Sequence, residues 1–322
     1  AGDIRINTNI VTGVTQDQEG IIWVGTDHGG VNLINKKNQS VNFLLTDAED
    51  HTTISQNSIY SVYKDSSNNI WLGTYKQGVS YYNNSKAMFR LFRHKVSDPN
   101  SLPFEDVNRF AEDAKGNLWI GTNGGGLIYF DRTRKRYSVF RHNPSDPESL
   151  SNDVVVSLYI DHEQKLWVGT YFGGLNCYDG KKFKRFRHNP SDTNSISDNS
   201  IWEIFEDSRN NLWIGTLSGG LNRYDRKKNI FHHYRVEDGQ SLHSNYISAI
   251  VEDSKGNIWL GTSNGIDVYD QEHNRFRYLG HADEDSSSLS NNNVITLLFD
   301  SKKRLWAGTR EGLNLLDKSN NT

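Results

Sequence analysis

The sequence predicts an all-β fold, a seven-bladed β-propeller with four antiparallel strands in each blade, and three observations predict it. First, the pentad Ile22-Trp23-Val24-Gly25-Thr26 returns as Ile70-Trp71-Leu72-Gly73-Thr74 and Leu118-Trp119-Ile120-Gly121-Thr122, then around Trp167, Trp213, Trp259 and Trp306. The tryptophan spacings are 48, 48, 48, 46, 46 and 47 residues, a fixed period in the range of propellers and solenoids. Second, an aspartate stands six positions before every one of these tryptophans, at Asp17, Asp65, Asp113, Asp161, Asp207, Asp253 and Asp300. Third, 27 Gly, 15 Tyr, 14 Phe and 8 Trp against 5 Pro and 1 Met is a strand-rich, turn-rich composition in which helix is nearly absent.

Each repeat yields its elements in order. A short apolar strand comes first, as in Ile59-Tyr60-Ser61-Val62-Tyr63 or Ile247-Ser248-Ala249-Ile250-Val251. The aspartate then opens a hairpin turn such as Asp113-Ala114-Lys115-Gly116-Asn117, where its carboxylate can accept backbone N–H groups. The Trp-x-Gly-Thr strand follows, then a loop usually ending in Gly, and a third strand such as Gly174-Leu175-Asn176-Cys177-Tyr178-Asp179. A fourth strand, as in Arg136-Tyr137-Ser138-Val139-Phe140, leads into a polar connection such as Arg141-His142-Asn143-Pro144-Ser145-Asp146. Four strands per period with no helical pattern between them fit a propeller rather than an α-solenoid or a leucine-rich horseshoe. The seven tryptophans are expected to pack between adjacent blades, and residues 1–322 are read as one domain. The last copy runs out at Leu313-Asn314-Leu315-Leu316-Asp317, so Asp3-Ile4-Arg5-Ile6-Asn7 is expected to supply the fourth strand of the seventh blade and close the ring.

Composition excludes some functions. A formal charge of −3 and a pI near 6.4 give no concentrated basic surface for phosphate backbones, so no nucleic-acid partner is expected. The single cysteine, Cys177, cannot form an internal disulfide and reads as a small core residue. No run approaches the roughly 20 apolar residues that cross a bilayer, and Ala1-Gly2-Asp3 lacks the character of a signal sequence, so a soluble, trimmed chain with no membrane insertion of its own is expected.

The pattern Asn-x-[Ile/Val]-x-x-[Ile/Val/Leu]-x-x-Asp-x-x-Gly-Asn-[Leu/Ile]-Trp-[Ile/Val/Leu]-Gly-Thr, followed by Gly-Gly-Leu-Asn-x-Tyr-Asp, is clearest between Asn199 and Asp225. It resembles the two-component regulator propeller repeat over essentially the whole chain. Departures are Lys76-Gln77-Gly78, Arg310-Glu311-Gly312 and Arg304-Leu305-Trp306, which mark where blades differ. The resemblance implies the periplasmic sensor region of a hybrid two-component system of the Bacteroidetes type. In that family the sensing of glycans or their breakdown products controls transcription through a cytoplasmic histidine kinase and response regulator. It also implies a neighbouring propeller and a β-sandwich domain as partners, with self-association as a homodimer a further expectation.

Because consensus residues build the blade, function is sought where one copy breaks the pattern. Ten residues before the tryptophan, the inner strands carry the small Gly13, Ser61, Ser157, Ala249 and Thr296, and the exceptions are Arg109 and Glu203. These two are expected to form one side of a pocket or a cross-channel ion pair. One position earlier stand Trp202 and Tyr60, where other copies have Thr12, Asn108, Val156, Ser248 and Ile295. The loop after Gly-Thr varies most, with His28, Tyr75, Lys76, Tyr171, Phe172 and Arg310. Aromatic faces of Tyr75, Tyr171, Phe172 and Trp202 suit sugar C–H surfaces, and Arg109, Lys76 and Arg310 suit carboxylate or sulfate groups. Packing and a solvated rim are the alternative roles for each.

His94, His142 and His188 occupy equivalent places in separate blades, so no shared metal is expected from them. Asp283-Glu284-Asp285 lacks a calcium-loop pattern, and neither metal nor cofactor is expected. A sialidase would need three converging arginines, a glycosidase a carboxylate partner for Glu203, and a lyase a central base, for which Tyr60 is the inner-strand candidate. The leading expectation is therefore a non-enzymatic sensor of an oligosaccharide. The alternatives are a protein-binding or dimerisation scaffold and, behind it, a propeller lyase or glycosidase.

Overall fold

The computed structural model describes residues 5–47, 50, 52–83, 88–96, 98–238 and 242–316. It is a seven-bladed propeller built of six four-stranded antiparallel sheets and, among the described residues, one three-stranded sheet. Blade 1 consists of Val11–Gln16, Ile22–Thr26, Val31–Asn35 and Ser40–Leu44, paired in that order. The inner strands of blades 2 to 7 are Ile59–Lys64, Val107–Glu112, Val155–Ile160, Ile201–Glu206, Ile247–Glu252 and Val294–Phe299. One 3-10 turn, Val236–Asp238, is the sole helical element among the described residues.

The repeating aspartate has two jobs. In blade 5, Asp207 Oδ1 accepts the Asn211 N–H at 2.8 Å, which closes the hairpin turn, and Oδ2 accepts the Trp213 indole N–H at 2.9 Å. The indole bond recurs at 2.8 to 3.1 Å in blades 1, 2, 4, 6 and 7. In blade 3, Asp113 Oδ2 accepts from the Tyr129 hydroxyl at 2.9 Å instead. With their one polar atom satisfied, these six indoles can be buried against the following blade. Trp71 packs on Val107 and Phe110, Trp167 on Ile201 and Ile204, and Trp306 on Val11 and Val14, which closes the ring. The Gly of Trp-x-Gly-Thr allows that approach, since a Cβ at Gly121 would sit 2.7 Å from Val155 Cγ1 of the next blade.

The N-terminal stretch departs from expectation. Asp3 and Ile4 lie outside the described residues, and Arg5 to Asn7 are not strand. Ile6 stands 17 residues before its tryptophan, the register of Ile54, Leu102, Leu150, Ile196, Leu242 and Leu289 in the other copies. Those residues belong to the connection that enters a blade. Asn7 behaves accordingly, donating its N–H to Asn32 Oδ1 at 2.9 Å as Ser151 does to Asn176 and Ser197 to Asn222 at 3.0 Å. Ile6 and Asn7 therefore form the connection into blade 1 and not the outer strand of blade 7, because strand pairing would pull Asn7 away from Asn32 and Gly29.

Candidate functional site

Every inner strand carries the same irregularity. Its register against the Trp strand slips between the residues twelve and ten positions before the tryptophan, so the residue between them is the extra one of a β-bulge. The bulged residues are those of the variable column, and all seven line a cavity of about 700 Å³ at one mouth of the central channel. Where the bulged residue is small and polar it ties neighbouring blades together. Asn108 Nδ2 donates to Val155 O at 2.9 Å and Ser248 Oγ to Val294 O at 2.6 Å, while Thr12 Oγ1 donates to Ile59 O. Tyr60, Val156, Trp202 and Ile295 fill the same places with ring or branched surface facing the cavity.

This funnel has an aromatic wall. The Tyr171 ring lies 6.3 Å from Trp202 at an interplanar angle of 74°, and Trp202 lies 5.7 Å from Tyr246 at 66°. Phe172 extends the wall outward, 4.0 Å from Tyr171 and 64 % exposed. On the far side Tyr60 pairs with Tyr75 at 5.4 Å, and Lys76 Nζ stands 4.6 Å over the Tyr75 ring. Burial, then the nearby carboxylates of Asp106 and Asp27, push the Tyr60 hydroxyl above its usual range, so it stays protonated at neutral pH.

Arg109 and Arg310 also line the funnel. Arg109 reaches across the axis to Glu203, Nη2 to Oε2 3.5 Å, and this pair separates the funnel from a narrower cavity of about 200 Å³ lined by Gly13, Ser61, Ala249 and Thr296. Burial raises the Glu203 carboxyl above its ordinary value, against the pull of Arg109 and the Ile204 N–H. Glu203 is the one carboxylate among the described residues that line either cavity.

Of the residues singled out in the sequence, Tyr60, Arg109, Tyr171, Trp202 and Arg310 converge on the funnel, and Glu203 forms its floor with Arg109. Tyr75, Lys76 and Phe172 stand at the rim just outside it. His28 remains apart, its side chain 82 % exposed and paired with Asp27 at 2.9 Å. Sequence reasoning missed Tyr246, Asn293 and Asn123. Tyr246 and Asn293 stand 13 residues before their tryptophans, a column in which Tyr246 is the aromatic exception, and that break in pattern is the signal that could have found it.

The recurrent histidines have a local explanation. The Nδ1 atoms of His94, His142 and His188 meet the backbone carbonyls of Leu102, Leu150 and Ile196 at 3.0, 2.8 and 2.9 Å, each within its own connection. Among the described residues no group of three His, Cys, Asp or Glu side chains is placed to hold a metal ion.

No curated protein matches the chain. Among solved structures, the extracellular domain of a hybrid two component system of B. thetaiotaomicron superposes with a TM-score of 0.82 at 25 % identity, covering 97 % of this chain and 40 % of that one. A second such domain from the same organism gives 0.77 at 24 %, covering 96 % and 38 %. The chain thus spans well under half the length of these relatives. Virginiamycin B lyase of Staphylococcus aureus superposes at 0.69 over 95 % of this chain and 93 % of its own, but at 11 % identity that likeness concerns the fold alone. The family described as two component regulator propeller matches residues 5–28, 53–76, 101–124, 149–172, 195–218, 241–264 and 288–311, more than half of the chain and one segment per blade. With seven matches in register with seven blades, this chain belongs to the two component regulator propeller family.

Proposed function

We propose that the chain is a ligand-sensing propeller from the periplasmic part of a hybrid two-component sensor, and that it receives an oligosaccharide in the funnel without transforming it. The observation that carries this reading is the wall Tyr171–Trp202–Tyr246 beside Arg109 and Arg310. Aromatic faces suit the C–H surfaces of a pyranose, and arginines suit its hydroxyl, carboxylate or sulfate oxygens. The likeness to extracellular domains of two-component systems supports the sensor role and the extracytoplasmic location. A non-enzymatic role is supported by the state of Glu203, which is engaged by Arg109 and has no second carboxylate beside it, among the described residues, for glycoside hydrolysis. Signalling would follow if bound ligand favoured one packing of this propeller against neighbouring domains, since a ligand shifts an equilibrium only by its differential affinity for the two states.

Calorimetry of the purified chain against defined neutral and acidic oligosaccharides tests this. Saturable binding is expected, weakened at least tenfold by Trp202→Ala and by Arg109→Ala. A folded chain that binds none of them, or binds them equally after both substitutions, overturns the funnel as the receptor site.

A second reading, a scaffold that binds protein, is favoured by Phe43, Leu91 and Val139. These sit at equivalent places on the outer strands of blades 1 to 3 and are 47 %, 36 % and 42 % exposed. Concentration-dependent light scattering distinguishes it, because Leu91→Asp should then abolish an association that Trp202→Ala leaves intact.

A further inference from the structure

The groove between the outer parts of blades 2 and 3 differs chemically from its counterpart between blades 4 and 5, and the repeat supplies the comparison. In the 4/5 groove, Lys184 Nζ donates to Asn229 Oδ1 at 2.7 Å, and Asn229 also accepts the Tyr224 hydroxyl at 2.7 Å. The other cations there are matched too: Lys165 with Glu163, Lys182 with Glu148, and Arg226 with Asp161 and Glu206. In the 2/3 groove the places of Lys184, Tyr224 and Asn229 are held by Arg90, Phe130 and Lys135. Two cations therefore face the groove where the sister groove has a cation and its acceptor.

Arg93 and Lys95 join them on the same recess. Among the described residues, none of Arg90, Arg93, Lys95 and Lys135 has a carboxylate partner, and the one acid on the lining, Asp98, accepts the Asn100 N–H within its own turn at 2.9 Å. Arg132 is already committed to Asp65 and Glu112. Lys135 also holds a left-handed backbone, φ 53°, where blades 5 and 6 use Asn229 and Asn274, residues that tolerate it better. The recess encloses about 320 Å³, at the small end of the range for compact ligands, over an aromatic floor of Tyr81, Phe92 and Tyr137. Four cations gathered in a recess with a single carboxylate on its lining repel one another, and a bound anion relieves that repulsion.

We infer that this groove is a second binding site, distinct from the funnel and independent of its reading, for an anionic sugar whose ring lies on the aromatic floor while sulfate or carboxylate groups meet Arg90 and Lys135. The test is titration of the whole chain with a fully sulfated uronate–glucosamine disaccharide, its desulfated counterpart and an acidic hexapeptide. Three chains are compared: the wild type, Arg90→Ala/Lys135→Ala, and Trp202→Ala. The expected result is saturable binding of the sulfated disaccharide that weakens with added salt. It should fall at least tenfold in the double variant, persist in Trp202→Ala, and be much weaker for the desulfated sugar. The double variant changes exposed positions, so its melting temperature should match that of the wild type. No binding by the wild-type chain, binding untouched by the double variant, loss with Trp202→Ala alone, or equal binding of the peptide would each overturn the assignment.

Discussion

At the scale of single residues, the Arg109–Glu203 pair makes the funnel floor sensitive to pH in a direction that can be worked out. Burial holds the Glu203 carboxyl above its ordinary 4.5, and Arg109 only partly opposes this. Between pH 4.5 and the raised value the folded chain therefore binds more protons than the unfolded one, and stability falls as pH rises through that window. Glu203→Gln is neutral throughout and lacks this component. Its melting temperature relative to wild type should rise as pH is taken from about 4 to 7; a difference that falls instead would mean that attraction to Arg109 outweighs burial. Asp207, which is 3 % exposed, has a different task. Asp207→Ala strips the acceptor from the Trp213 indole and the Asn211 N–H, and chemical denaturation should register a loss of roughly 2–4 kcal/mol. Arg109, Glu203 and Trp202 were legible in the sequence because each breaks a column of the repeat. Tyr246 was overlooked because its column lies just before the inner strand, where no strand pattern draws the eye to it.

At the scale of the element, the inner strand explains why one variable column becomes a binding surface. A regular strand would alternate its side chains between the two faces of the blade, each packed on a neighbour. The bulge frees one residue per blade from the ladder and turns it toward the axis, so seven blades give seven wall positions, of which Thr12, Asn108 and Ser248 are spent on bonds to the next blade while Tyr60, Val156, Trp202 and Ile295 face the cavity. Trp202→Ala should accordingly leave the melting temperature within a degree or two of wild type, even where ligand binding is lost, whereas core truncations lower it markedly. The Trp strand is the opposite case. A Cβ at Gly215 would stand 2.7 Å from Ile247 Cγ2, so Gly215→Ala should cost about 1–3 kcal/mol by forcing blades 5 and 6 apart. The Trp-Gly pattern of this strand was readable residue by residue. The bulge was not, because its sequence is an ordinary apolar run and the slip exists only relative to the partner strand.

At the scale of the whole molecule, the ring is closed by apolar packing between blade 7 and blade 1. Trp306 rests on Val11 and Val14, and Ile6 is packed against the same cluster. Because each blade is buried only against its neighbours, weakening this seam should be felt by all seven. Trp306→Ala is expected to lower the single thermal transition by about 3–5 kcal/mol without splitting it; a separate low-temperature transition would show that the blades unfold independently. What the sequence determined by itself was the blade: its period, its four strands, its Asp–Trp pair and the columns where copies disagree, since each follows from contacts within about fifty residues. What the tertiary structure alone decided was which of those disagreements meet. It brought Arg109 to Glu203 and Tyr171 to Trp202 and Tyr246, left His28 outside, and set Arg90 and Lys135 on one groove with no carboxylate paired to either among the described residues. It also made Ile6 and Asn7 the connection into blade 1, because the register shared with the other blades, and not strand propensity, fixes where a segment lies once the ring is closed.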